Sequence, residues 1–219
     1  LVCQEGARGT YTLWKNRTAQ LRLRESGIPK AIVSLDREIC PSVPVDVVPG
    51  MLPMVLHPAP HRVLVLGMDS GSILETMLRF PVQDLICAEA DPALTKLVKT
   101  HMWGDRERNP FDDPRTRCLD MEPRLALLGH AKPYDVILSS AEHPALFRSA
   151  HFFTKDYYRL VSRRLDREGI FCQRFNYKET GLSTLSETLG HLRSAFRHVS
   201  IVEIENGEML FLATDSESG

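Results

Sequence analysis

Four short apolar runs in this sequence end in side chains that can do chemistry, and each run is followed by a helical or loop segment. The first, Arg62-Val-Leu-Val-Leu, ends in Gly67-Met68-Asp69-Ser70-Gly71-Ser72. A glycine-bearing turn of this kind lets a ligand approach the backbone and presents amide N–H groups to it. Gly67, Asp69, Ser70 and Gly71 are therefore candidates for contacting a bound nucleoside, the alternative being glycine kept for packing. Glu89 ends the second run, 22 residues after Gly67 (89 minus 67). An acid at that place can accept hydrogen bonds from both hydroxyls of a ribose, where the plainer role is a solvated carboxylate at a strand end. Asp120 ends the third run, placed either to take the exocyclic amine of an adenine or to cap a helix beginning at Met121. The fourth run ends in Ser139-Ser140-Ala141-Glu142-His143-Pro144. Its loop faces the reacting end of any ligand whose ribose sits at Glu89, which makes Ser140, Glu142 and His143 the candidate catalytic residues. Ser and His this close in sequence do not by themselves make a triad, and a histidine before proline also serves as an ordinary surface loop residue.

The elements that must position these side chains follow from periodicity. Residues 1–40 read as a small antiparallel β element of two to four strands, with a turn at Gly27-Ile28-Pro29. Residues 41–60 carry six prolines and one glycine, which predicts a connector with at most a short helix. From 61 to 219 short apolar runs alternate with helical patterns. Strands are expected at 62–67, 84–89, 116–119, 134–139 and 169–173, and helices at 72–80, 92–101, 122–128, 155–165 and 183–196. Residues 199–203 and 208–212 sit close enough to form an antiparallel pair. Alternation of this kind calls for right-handed crossovers and a mostly parallel α/β sheet, whose ligands bind beyond the carboxyl ends of its strands.

Composition narrows the classes. The chain has 219 residues with 27 basic and 28 acidic side chains, a net charge of -1, so nothing in its charge calls for a nucleic acid partner. No apolar run approaches the ~20 residues needed to span a bilayer. Cys3, Cys40, Cys87, Cys118 and Cys172 are far apart and form no metal-ligand spacing; reduced thiols and a cytoplasmic setting are expected, with no metal. The first residue is leucine, which raises the expectation of a longer polypeptide. A dinucleotide-binding GxGxxG is missing, which argues against an NAD dehydrogenase.

Several blocks together resemble the spermidine synthase family. His57-Pro-Ala-Pro-His61-Arg-Val-Leu-Val-Leu-Gly67 is similar to its HPxPxxVLxxG run into the first strand. The likeness continues through Ala88-Glu89-Ala90-Asp91, Asp113-Pro114-Arg115, Tyr134-Asp135-Val136-Ile137, Phe152-Thr-Lys-Asp-Tyr-Tyr158 and Leu165-Asp-Arg-Glu-Gly169. The resemblance implies a Rossmann-like sheet of the S-adenosylmethionine-methyltransferase type and a homodimer. It also implies decarboxylated S-adenosylmethionine, or S-adenosylmethionine, as substrate with an amine acceptor. Gly67, Gly71, Glu89 and Asp120 fall on the family's nucleoside-binding positions. The family's GGGDGG loop becomes Gly67-Met-Asp-Ser-Gly-Ser72, and its DSSDP becomes Ser140-Ala-Glu-His-Pro144, so Ser140 and His143 stand where it has aspartates. Each lost charge-assisted hydrogen bond removes roughly 1.5–3 kcal/mol from a dication site, so transfer to an acceptor other than putrescine is expected. The alternatives are a catalytically inactive structural, dimerising or regulatory module, and an S-adenosylmethionine-dependent methyltransferase.

Overall fold

The computed structural model describes residues 1–17, 20–34, 44–104, 106–129, 132–141, 143–144, 149–178, 180–205 and 207–217. The N-terminal segment forms a four-stranded antiparallel sheet of β1 (Val2–Glu5), β2 (Thr10–Lys15), β3 (Gln20–Glu25) and β4 (Ile28–Ser34) in chain order. Alternation decides its buried face: Tyr11 and Leu13, Leu21 and Leu23, and Ala31 and Val33 point inward. A two-residue turn joins β3 to β4, with Ser26 and Gly27 both at positive φ, which matches the twist of the flanking strands. Next to it the pairing slips. Leu23 faces Ala31 while Arg24 faces Pro29, so Lys30 is the extra residue of a bulge.

The proline-rich segment departs from expectation. Pro44–Leu56 is a thirteen-residue helix, α1, with Pro49 and Pro53 inside it. Its packing against the sheet, with Met54 fully buried, outweighs the two lost backbone hydrogen bonds on which the shorter expectation rested.

From Arg62 onward the chain winds a seven-stranded sheet in the order β10-β11-β9-β8-β5-β6-β7. Five strands, β5 (Arg62–Leu66), β6 (Asp84–Glu89), β7 (Thr116–Asp120), β8 (Tyr134–Ser139) and β9 (Leu165–Asn176), run parallel. The pair β10 (His198–Glu205) and β11 (Glu208–Thr214) closes one edge antiparallel. The intervening helices are α2 (Ser72–Met77), α3 (Pro92–Leu97), α4 (Pro123–Ala126), α5 (Lys155–Ser162) and α6 (Leu182–Arg193). All but α3 are shorter than or displaced from their expected spans only at the ends. The expected 92–101 helix instead changes pitch: Val98–Trp103 is a π-helical turn.

The strands are apolar on both faces because both are covered. Val63, Val65, Leu85, Val136 and Leu138 pack under α1, α2, α3 and the N-terminal sheet. Leu64, Leu66, Ile86 and Ile137 pack under α4, α5 and α6. The N-terminal sheet therefore shares one core with the parallel sheet. Asp91 ties the two together, capping α3 by accepting from Ala93 N (3.0 Å) while also accepting from Arg8 N (2.9 Å) and the Tyr11 hydroxyl (3.0 Å). Among the described residues, no helix is long and apolar enough to cross a membrane.

Burial alone would raise the Asp91 carboxyl, but these donors hold it below its ordinary value. Its contribution is thus present at neutral pH and lost as pH falls through its folded pKa. Asp91→Ala removes a helix cap and strands a buried hydroxyl, an expected loss of about 2–4 kcal/mol in urea unfolding. The gap to the parent should narrow in acid. Thr154→Ala, which removes the α5 cap and the hydroxyl's bond to His151 O (3.2 Å), should cost about 1 kcal/mol.

Candidate functional site

The order of strands reverses between β5 and β8, and the side chains singled out from the sequence gather along that rim. Reading across the sheet, Asp120 ends β7, Glu89 ends β6, Gly67 follows β5, and Ser139 ends β8 with Ser140 next to it. Glu89 and Asp120 are register partners.

Glu89 turns its carboxylate toward the Gly67 turn. Oε2 accepts from Met68 N (3.1 Å) and Oε1 accepts from Asp91 N (3.0 Å). An ionised carboxylate has about four acceptor directions; one on each oxygen remains. Burial, with only 7% of the residue exposed, raises the Glu89 carboxyl above the ordinary glutamate value, against the pull of the two N–H donors. It is not the plain solvated carboxylate of a strand end.

The turn itself is built by unusual backbone. Gly67, Asp69 and Gly71 all have positive φ, of 94°, 49° and 80°. At Gly71 a side chain is excluded twice over, by conformation and by space, since a Cβ would stand 2.9 Å from the Trp103 indole nitrogen and 3.0 Å from the Phe111 ring. Trp103 Nε1 donates to Ser70 O at 2.6 Å. The π-helical turn is what carries Trp103 there, an outcome a regular 3.6-residue pattern hides. Ser70 is buried, its hydroxyl bonded to that of Ser72 and accepting from Ser72 N. It serves the turn.

Asp69 has a different environment from the one its place in the sequence suggests. It is buried between two cations: Lys30 Nζ lies 3.1 Å from Oδ1 and Arg174 Nη1 lies 3.1 Å from Oδ2. Burial would raise its carboxyl, but Lys30 and then Arg174 overturn that and hold it below the ordinary aspartate value. The network extends outward from Lys30 to Glu25 (3.5 Å), and from Arg174 to Glu208 (3.8 Å), which accepts from Asn176 Nδ2 (2.9 Å). Sequence reasoning missed Lys30, Arg174 and Glu208. The available signal was Arg174, a charge inside the apolar run Phe171-Cys-Gln-Arg-Phe175.

The loop after β8 is partly accounted for. Ser140 donates from Oγ to Gly67 O at 2.9 Å and from its amide to Leu66 O, which ties the ends of β5 and β8. His143 lies away from that bond, with Nε2 at 3.3 Å from both Lys178 O and Thr180 Oγ1. Glu142 lies outside the described residues. Asp120 is exposed, and it is not the cap of α4: Glu122 accepts from Arg124 N and holds that place. Its rival role therefore falls away. Cys87, Cys118 and Cys172 are free thiols in strands, Cys3 is free but exposed, and Cys40 lies outside the described residues. Among the described residues no group of three or more His, Cys, Asp or Glu side chains is placed to hold a metal.

A mostly parallel sheet covered on both faces, with a glycine turn at its switch point and a small antiparallel sheet before it, is a Rossmann-like sheet of the methyltransferase type. Residues 50–205 match the spermine/spermidine synthase domain, and this chain belongs to that family. It is 26% identical over 121 residues to a polyamine aminopropyltransferase of Thermotoga petrophila, covering 55% of this chain and 40% of that protein. It is 35% identical over 124 residues to polyamine aminopropyltransferase 2 of Streptomyces coelicolor, covering 52% of this chain and 22% of that protein. The match thus spans less than half the length of these relatives. Among solved structures, a spermidine synthase in complex with the transition-state analogue AdoDATO superposes with a TM-score of 0.79 at 17% identity, covering 99% of this chain and 72% of that one. Human methyltransferase-like protein 13 in complex with SAH gives 0.63 at 20% identity, covering 80% and 82%. These two likenesses concern the fold.

Gly71→Ala forces an L-residue into left-handed backbone against the indole. An expected cost of about 1–3 kcal/mol should accompany a changed Trp103 emission, read in a Trp14→Phe background because the chain has two tryptophans. Normal stability with unchanged emission would contradict the tight fit of turn and indole.

Proposed function

We propose that this chain binds an S-adenosyl nucleoside along the rim of β7, β6 and β5, as the nucleoside site of a spermidine synthase-like transferase. The carrying observation is Glu89. Its carboxylate is held by Met68 N and Asp91 N with one acceptor direction left on each oxygen, a fit to the two hydroxyls of a ribose. Asp120, exposed at the neighbouring strand end, would then face the adenine. The tail would run over Gly67 toward Ser140. Membership of the spermine/spermidine synthase family supports the same direction.

Transfer from a sulfonium requires an acceptor nitrogen whose lone pair bonds to the carbon beside sulfur. The C–S bond breaks with its electron pair passing to sulfur, and the amine proton goes to a base. The Ser140 hydroxyl donates to Gly67 O, and a neutral hydroxyl is a weak acceptor for an amine proton. A base role would fall to His143 or to Glu142. A second reading, a nucleoside-binding module without transfer, is favoured by the double pairing of Asp69 with Lys30 and Arg174. That leaves the aspartate nearest the tail neutralised. Turnover of any amine with decarboxylated S-adenosylmethionine would exclude it.

Calorimetric titration with methylthioadenosine tests the site. Binding is expected in the parent and at least about tenfold weaker in Glu89→Ala, the loss of charge-assisted hydrogen bonds. Thermal unfolding should show that the variant still folds. No heat with methylthioadenosine or either S-adenosyl sulfonium ends the proposal. The acceptor must be ionised, and its carboxyl titrates above the ordinary glutamate value. Affinity should therefore fall with acidification at a higher pH than an ordinary glutamate would cause. A flat profile would argue against Glu89 as the ribose acceptor.

A further inference from the structure

Two free thiols sit side by side just below the rim, outside the proposed nucleoside contacts. Cys87 of β6 and Cys118 of β7 are register partners in neighbouring parallel strands. Cys87 belongs to the core under α3 and the N-terminal sheet, and Cys118 packs against that same core. They precede Glu89 and Asp120 by two residues each, so the four side chains share one face of the sheet.

Strand spacing puts register partners about 4.8 Å apart at Cα, inside the range of about 4.4–6.8 Å that disulfides span. The last approach of the two sulfurs falls to β7. That strand ends the sheet and pairs only with β6, so it can shift without breaking a second ladder. The other described cysteines stand elsewhere. Cys172 lies in β9, three strand spacings from β6 and thus roughly 14 Å away. Cys3 is exposed in the N-terminal sheet, opposite Thr12.

The two thiols are unequal. Cys87 is fully buried, whereas Cys118 is half-buried on the edge strand. The Cys87 thiol beside it holds the Cys118 thiol below its ordinary value against the opposing pull of burial, and Lys99 adds to that. Lys99 belongs to the π-helical turn, with its ammonium 5.4 Å from the centre of the Phe111 ring. Cys87 is pushed the other way, by Cys118 and by burial. The thiolate is the reactive form, and a cation near a partly exposed cysteine favours it.

We propose that Cys87 and Cys118 form a peroxide-reactive dithiol, a modification site in which Cys118 is the attacking thiol and Cys87 the resolving one. The Cys118 thiolate bonds to one peroxide oxygen and the O–O bond breaks. The departing hydroxide takes up the proton that Cys118 released and leaves as water, and Cys118 is then a sulfenic acid. The Cys87 sulfur next bonds to the Cys118 sulfur. The S–O bond breaks, and its hydroxide leaves as water with the Cys87 proton. The two sulfurs lose two electrons and the two peroxide oxygens gain them. The product pins the edge strand β7 to β6, two residues before Glu89 and Asp120.

To test this, the folded chain is treated with hydrogen peroxide, quenched, alkylated in denaturant and mapped by mass spectrometry. The expected product is a pair of peptides joined through Cys87 and Cys118, released again by dithiothreitol. In Cys87→Ala the reaction should stop at its first step, leaving a sulfenic acid at Cys118 that dimedone traps. In Cys118→Ala the buried Cys87 should stay reduced and alkylatable under the same exposure. Mapping of the parent carries the test by itself should either variant fail to fold. Alkylation of both thiols after peroxide overturns the dithiol, and so does a Cys118 sulfenic acid that persists in the parent without a bridge. A bridge that forms only when peroxide is added in urea overturns it as well, because the fold then has no part in bringing the thiols together. Oxidation of Cys87 that survives in Cys118→Ala overturns the assigned order of attack.

Discussion

The carboxylate of Glu89 is the point on which this architecture turns. Parallel strands deliver their carboxyl ends to one rim, and the turns that leave them expose main-chain N–H groups with no ladder partner. At β5 and β6 two of these, Met68 N and Asp91 N, converge on the same side chain. The acid therefore satisfies the backbone and sets the shape of the rim in one stroke. Asp91, whose amide it accepts, repeats the device one layer out, where it holds α3, Arg8 and Tyr11. A short chain of carboxylates thus runs from the carboxyl-end rim of the sheet to the N-terminal β element.

A second chain of charges crosses the rim at its other end. Glu25, Lys30, Asp69, Arg174 and Glu208 alternate in sign, and each comes from a different element: β3, β4, the turn after β5, β9 and β11. Asp69 and Arg174 are the buried members, and breaking either leaves an uncompensated charge, so the two constrain one another. The consequence for chemistry is specific. A carboxylate in the Gly67 turn ordinarily offers a cation-binding point, but Asp69 meets its cations from within the chain. Together with Ser140 and His143 at the loop after β8, this gives that end of the rim a different charge pattern from the one the family resemblance implies.

Much of the fold was legible from residue pattern. Runs such as Val63 to Leu66 and Val136 to Leu138 are apolar at every position, which only a sheet covered on both faces explains, and the antiparallel pair at the C-terminus followed from spacing. Glu89 and the Gly67 turn were legible as well, because a glycine and an acid at strand ends are local features. Less legible was α1, where two prolines weigh against a helix that tertiary packing nevertheless supports. The π-helical turn at Val98–Trp103 was equally hidden, since its apolar residues fit a regular helix until Trp103 must reach Ser70 O.

The sequence by itself determined the alternation of elements, the sheet class and the identity of the acid at each strand end, because these depend on side-chain period and on neighbours within a few residues. Only the tertiary structure decided what the side chains near those strand ends contact. Glu122 rather than Asp120 caps α4, Asp69 is claimed by Lys30 and Arg174, and Ser140 is bound to Gly67 O. The separation of Lys30, Asp69 and Arg174 along the chain carries no trace of their 3.1 Å contacts. Charge pairing across a rim acts through space, over distances that only the folded backbone, and here a single bulge residue in β4, brings within reach.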